Sequence, residues 1–108
     1  MKEILLFLLS FFLLFSSFVK AEYISNCSIL DQGTTYYLTQ DITNASLYTC
    51  IDITANNVVL DCQNHLIHGV GSGIGIRLVR RNVQLTYVTI KNCVVSNWSW
   101  GIYAEYIK

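Results

Sequence analysis

Asn57-Val58-Val59-Leu60-Asp61-Cys62 is answered 30 residues on (57 to 87) by Tyr87-Val88-Thr89-Ile90-Lys91-Asn92. Gly75-Ile76-Arg77 is answered 26 residues on (75 to 101) by Gly101-Ile102-Tyr103. Two offsets this close describe one loose unit with insertions at its corners. A period in this range, built from short strands rather than helices, is what a coiled solenoid requires. Each strand then stacks parallel on its counterpart one turn away, about 4.8 Å distant. Inward Ile, Val and Leu form columns that no single coil could bury alone.

The flanking sequence fits this reading. β-branched and aromatic residues fill short runs at 36–38, 51–54, 58–62, 66–68, 74–78, 83–85, 88–90, 94–95 and 102–106. Between them stand Asn- and Gly-bearing breaks such as Asn56-Asn57, Gln63-Asn64, Asn82 and Asn92, residues that accept the left-handed backbone of a corner. Within a run the apolar residues alternate: Ile74, Ile76 and Leu78 share one face, as do Val58, Leu60 and Cys62, and Val88, Ile90 and Asn92. An antiparallel sandwich is the competing arrangement, but the chain has no proline and none of the Asn-Gly or Asp-Gly turns on which tight hairpins depend. A sandwich also gives no reason for the two self-similar segments.

The first residues point to export. Residues 4–19 are apolar apart from Ser10, Ser16 and Ser17, follow Lys2, and lead to Val19-Lys20-Ala21, which suits a secretory signal peptide over 1–21 cleaved after Ala21. Left uncleaved, the same run is a short amino-terminal membrane anchor, and after cleavage no stable membrane span is expected. Seven basic residues balance seven acidic ones, so no long-range field gathers nucleic acid or anionic lipid. Arg77, Arg80 and Arg81 form the only basic cluster and read as a solvated loop edge. Cys27, Cys50, Cys62 and Cys93 all follow the apolar run and none sits in a C-x-x-C spacing, so two disulfides are expected rather than a metal or redox site. Three connectivities are open; Cys27 with Cys50 and Cys62 with Cys93 would join neighbours along the chain. N-x-S sequons at Asn26, Asn44 and Asn97 are glycosylation candidates on an exported glycoprotein.

The stretch Cys50-Ile51-Asp52-Ile53-Thr54-Ala55-Asn56-Asn57-Val58-Val59-Leu60-Asp61-Cys62-Gln63, with Val88-Thr89-Ile90-Lys91-Asn92-Cys93 and Gly101-Ile102-Tyr103, resembles the exported right-handed parallel β-helix repeat proteins, related in fold to pectate lyases and NosD-type proteins. The resemblance covers residues 51–106. It implies an all-β solenoid of two to three coils over 51–108, preceded by an amino-terminal cap segment over 22–50. Such repeats encode stacking rather than activity. Proteins of this kind carry more coils and a dedicated cap, so the chain is expected to be the amino-terminal part of a longer protein or to stack end to end on another copy.

No catalytic site, metal site or cofactor is expected. Polysaccharide-cleaving enzymes of this fold converge several carboxylates in one groove, whereas here Asp52 and Asp61 are separated by a turn and Asp61, flanked by the inward Leu60 and Cys62, faces outward. His65 and His68, three apart on a turn and short strand, point to opposite sides and lack a third ligand. Trp98, Trp100 and Tyr103 are the ligand candidates, because exposed aromatic rings stack on the apolar faces of sugars; packing over the last coil is the other use for them. The corner residues Asn57, Asn64, Asn82 and Asn92 are expected to form hydrogen-bonded ladders between coils. The function expected is thus a cell-surface or secreted module, structural or adhesive, with a version that binds an extracellular polysaccharide or glycan as the second reading. The alternative is a fragment of a polysaccharide lyase or hydrolase without its catalytic coils.

Overall fold

The structure, a computed structural model, describes residues 20–105. Nearly all of the expected signal peptide, and Tyr106 at the far end, lie outside these residues. Within them there is no helix, and every strand pairing is parallel. The chain winds through a short first turn, β1 (Ala21–Ile24) and β2 (Ser28–Leu30), and then through three full turns. These are β3 (Thr35–Leu38), β4 (Ile42–Ala45) and β5 (Thr49–Ile53); β6 (Val59–Asp61), β7 (Leu66–Gly69) and β8 (Ile74–Leu78); and β9 (Thr89–Lys91), β10 (Val94–Ser96) and β11 (Trp100–Ala104). The strands stack into three sheets: a first of order β1-β3-β6-β9, a second of β4-β7-β10, and a third of β2-β5-β8-β11. The result is a β-solenoid of about three turns, in which residues 22–50 already wind through the same three sheets.

Both sequence offsets are coil-to-coil registers. Leu60 stands opposite Ile90 in the first sheet, and Ile76 opposite Ile102 in the third. The inward column Ser28, Ile51, Ile76, Ile102 runs along the third sheet, and Tyr36, Leu60, Ile90 along the first. Leu38, Ile51, Ile53, Leu60, Ile67 and Ile76 are fully buried, and among the described residues no charged or polar residue joins them in the core. Burying one such aliphatic side chain contributes about 1.5–3 kcal/mol, so the central turns carry most of the stability.

Corners follow the expected chemistry. Asn57, Asn64, Asn82 and Asn92 all adopt positive φ, joined by Gln63, Tyr87 and Asn97, and the short polar side chain of Asn tolerates that region best. Asn92 is therefore an exposed corner residue and not an extension of the inward row of Val88 and Ile90. The coil-to-coil bonds made by asparagine side chains do not run Asn to Asn: Asn92 Nδ2 donates to Asp61, Asn97 Nδ2 to the Gly69 carbonyl, and Asn56 Oδ1 accepts from the Thr86 backbone.

Two further expectations need correction. Residues 83–85, read as a strand, lie in the connection from β8 to β9, where Leu85 makes a single isolated β-bridge and inserts as a fully buried plug while Val83 and Gln84 stay exposed. Arg77 is no part of a loop edge: it sits inside β8. Disulfides join Cys27 to Cys50 and Cys62 to Cys93, each closing one turn, with Cα–Cα distances of 4.5 and 4.8 Å. Among the described residues nothing lies beyond the last turn, so Ile102 is 51% exposed although Ile76 in the same column is 0% exposed.

Candidate functional site

The outer face of the third sheet brings together side chains that inward packing does not consume. Ile29, Asp52, Arg77 and Tyr103 stand in register, one from each turn. Alternation causes this: each is flanked by inward residues, as Ile51 and Ile53 flank Asp52 and Ile76 and Leu78 flank Arg77. Arg77 Nη2 lies 2.6 Å from Asp52 Oδ2, and Arg77 Nε lies 3.1 Å from Oδ1, a two-point pairing of guanidinium with carboxylate. The Asp52 carboxylate raises the Arg77 pKa above its ordinary value, chiefly through these hydrogen bonds. The guanidinium keeps further N–H donors that Asp52 does not occupy.

Tyr103 caps one end of this column, and Trp100 meets it edge to face with ring centroids 5.7 Å apart. Trp100 is 59% exposed. At the other end a shallow groove of about 480 Å³ is lined by Ile29, Leu47, Thr49 and Asp52, with the Cys27–Cys50 disulfide in its wall. Ile29 and Leu47 are exposed. The Thr49 hydroxyl is buried and has no hydrogen-bond partner among the described residues.

The three aromatic candidates separate in the structure. Exposed Trp100 pairs with half-buried Tyr103. Trp98 instead lies half-buried against the core, its indole N–H donating to the Ile67 carbonyl at 3.1 Å. The cause is a pair of glycines one turn earlier: a Cβ at Gly69 would lie 2.6 Å from Trp98 Cδ2, and one at Gly75 3.1 Å from Cδ1. Glycine at both positions leaves the hollow that the indole fills.

The acids and histidines disperse. Asp52 belongs to the third sheet and Asp61 to the first. Asp61 accepts from the Gln63 backbone N–H and from Asn92, which lowers its pKa below the ordinary carboxylate value. Asp41 is lowered likewise, first by the Leu66 backbone N–H and then by His65. His65 thus joins Asp41, whereas His68 Nδ1 meets Ser96 Oγ at 2.8 Å. The Asn97 amide nitrogen, held toward the Gly69 carbonyl, also faces His68 Nε2 at 3.5 Å. No group of three or more His, Cys, Asp or Glu able to hold a metal ion occurs among the described residues.

Of the sequon residues, Asn26 is exposed in the turn between β1 and β2, Asn97 is exposed at a corner, and Asn44 lies within β4. No helix of the described residues is long and apolar enough to cross a membrane. Sequence reasoning overlooked the Arg77–Asp52 pair, although Ile51-Asp52-Ile53 and Ile76-Arg77-Leu78 repeat one pattern 25 residues apart (52 to 77). Comparison with protein families, curated proteins and solved structures finds no match to this chain.

Proposed function

We propose that the chain is an exported β-solenoid module, structural or adhesive at the cell surface, that contacts an extracellular polysaccharide through the outer face of its third sheet. The observation that carries this reading is the column Ile29, Asp52, Arg77, Tyr103, with exposed Trp100 at one end and an apolar groove at the other. Three coil steps of about 4.8 Å make a track of roughly 14 Å, long enough for several linked sugar rings. Aromatic faces suit the C–H face of a pyranose. The spare Arg77 donors suit its hydroxyls. Two disulfides accord with the oxidising compartment that export implies. The pattern of inward columns and asparagine corners supports kinship with the pectate-lyase-like and NosD-type solenoids.

Affinity electrophoresis through gels cast with neutral and acidic plant and microbial polysaccharides tests the reading. Retardation in at least one gel is expected, lost in Trp100→Ala and Tyr103→Ala and kept in Tyr87→Ala, which removes an exposed ring elsewhere. Equal mobility of all four proteins in every gel rejects it.

A second reading draws on the open edges of β9, β10 and β11, each of which pairs with a neighbour on one side only. Such edges accept a further coil, supplied by a longer chain or by another copy. Were those coils to bring converging acids, the polysaccharide-cleaving alternative would apply to the longer protein. Sedimentation of the chain at rising concentration tests the stacking on another copy, with a concentration-independent monomer excluding it.

A further inference from the structure

Residues 79–88, between β8 and β9, form the longest connection among the described residues. Arg80, Arg81, Asn82, Val83 and Gln84 are all exposed. The backbone there is held by a turn contact from the Val83 N–H to the Arg80 carbonyl at 3.3 Å, and it regains the body of the protein only at buried Leu85 and at Thr86, whose N–H reaches Asn56. A protease must draw an extended stretch of chain into its cleft, and exposed loop tips supply such stretches at least cost.

The neighbouring basic residues are guarded. Arg77 is inside β8, between β5 and β11, with its head group bound to Asp52. Lys91 belongs to β9; its carbonyl accepts from the Cys62 N–H at 3.1 Å, and the Asn92 carbonyl accepts from the Asn64 N–H at 2.8 Å. Two consecutive arginines thus occupy the one long connection where no sheet protects the backbone.

The covalent frame gives this position a consequence. Cys62 precedes the loop, Cys93 follows it, and the two are bonded. We infer that residues 80–82 are a processing site for an arginine-specific protease, and that the Cys62–Cys93 disulfide makes the product a two-chain protein instead of two separate pieces. Water adds across the peptide bond after Arg81 (or Arg80), leaving a carboxylate on the arginine and an amine on the residue that follows. No other bond changes. The fourth turn, β9 to β11, then stays on the third through its pairing with β6, β7 and β8 and through the disulfide. Only cleavage followed by reduction removes the covalent tie.

The test uses the full, disulfide-bonded chain and limiting trypsin. Mass spectrometry under reducing conditions is expected to show a carboxy-terminal fragment beginning at Asn82 or Arg81 before any cut at Arg77 or Lys91. Without reductant, the cut in the loop is expected to add one water and release no fragment. Arg80→Gln with Arg81→Gln should slow the first of these cuts by at least about tenfold. In the nicked Cys62→Ser, Cys93→Ser protein the fragment should separate in denaturant without reductant. A first cut at Arg77 or Lys91, or a loop no more susceptible than those two sites, overturns the inference.

Discussion

Arg77 and Asp52 face one another across a single coil step, joined at 2.6 and 3.1 Å by parallel hydrogen bonds on the outside of the third sheet. The carboxylate side is the better shielded, at 16% exposure against 35% for the arginine. Removing one partner leaves a partly desolvated charge unmatched. Asp52→Ala is therefore expected to lower stability in urea by about 1–2 kcal/mol, and Arg77→Met by a similar amount. A double-mutant cycle should show that the two losses do not add. Additive losses would mean that the pair contributes no coupling.

Ile76 and Ile102 offer a controlled comparison, because they share residue type and column while differing in cover, 0% against 51% exposed. Ile76→Ala should cost about 2–5 kcal/mol. Ile102→Ala should cost no more than about 1 kcal/mol, since half of its surface already meets water. Equal costs in chemical unfolding would contradict the open end of the last turn.

Gly69 is constrained by what lies above it. A methyl group there meets the Asn97 carbonyl at 2.6 Å and the Trp98 ring at 2.6 Å, so Gly69→Ala should destabilise by about 1–3 kcal/mol and shift the tryptophan emission. Adding Trp98→Ala should recover only part of the loss, because the backbone carbonyl remains. Wild-type stability and emission in Gly69→Ala would show that the indole does not sit in that hollow.

Asp41 and Asp61 both have folded pKa values below the ordinary carboxylate value, held there first by backbone N–H groups of Leu66 and Gln63. For a lowered carboxylate the stabilisation is fully present above the unfolded value, about 3.9, and is lost as the pH falls through the folded value. Thermal midpoints should accordingly be level with respect to these groups above about pH 5 and decline below about pH 4. Asp41→Asn and Asp61→Asn should each flatten that decline. A decline unchanged in both variants would place the acid sensitivity elsewhere.

The repeat was legible wherever a strand carried its apolar alternation intact. The pairings of Leu60 with Ile90 and of Ile76 with Ile102 match the offsets written in the sequence. β1, β2 and β4 were not legible: Ala21–Ile24 abuts the apolar run of residues 4–19, Ser28–Leu30 is a three-residue strand behind a cysteine, and Ile42–Ala45 has Thr43 and Asn44 at its centre. Leu85 deceived for the opposite reason, since a plug in a loop and a strand residue present the same apolar letter. The site was half readable. Trp98 and Trp100 are equivalent as letters, and what separates them is the glycine pair one turn below, which matters only once the winding sets Gly69 and Gly75 under the indole.

The spacing of the disulfides governs how the molecule would bear a pull on its two ends. Tension entering near Cys27 crosses at once to Cys50, and tension reaching Cys62 crosses to Cys93, so residues 28–49 and 63–92 hang slack outside the line of force. Between the two clasps only residues 51–61 can unspool, a reach of about 35–40 Å at full extension. Within the bridged body the joint between the second and third turns is then the place where a stretched molecule parts, and a reducing agent would turn this short tether into a long one.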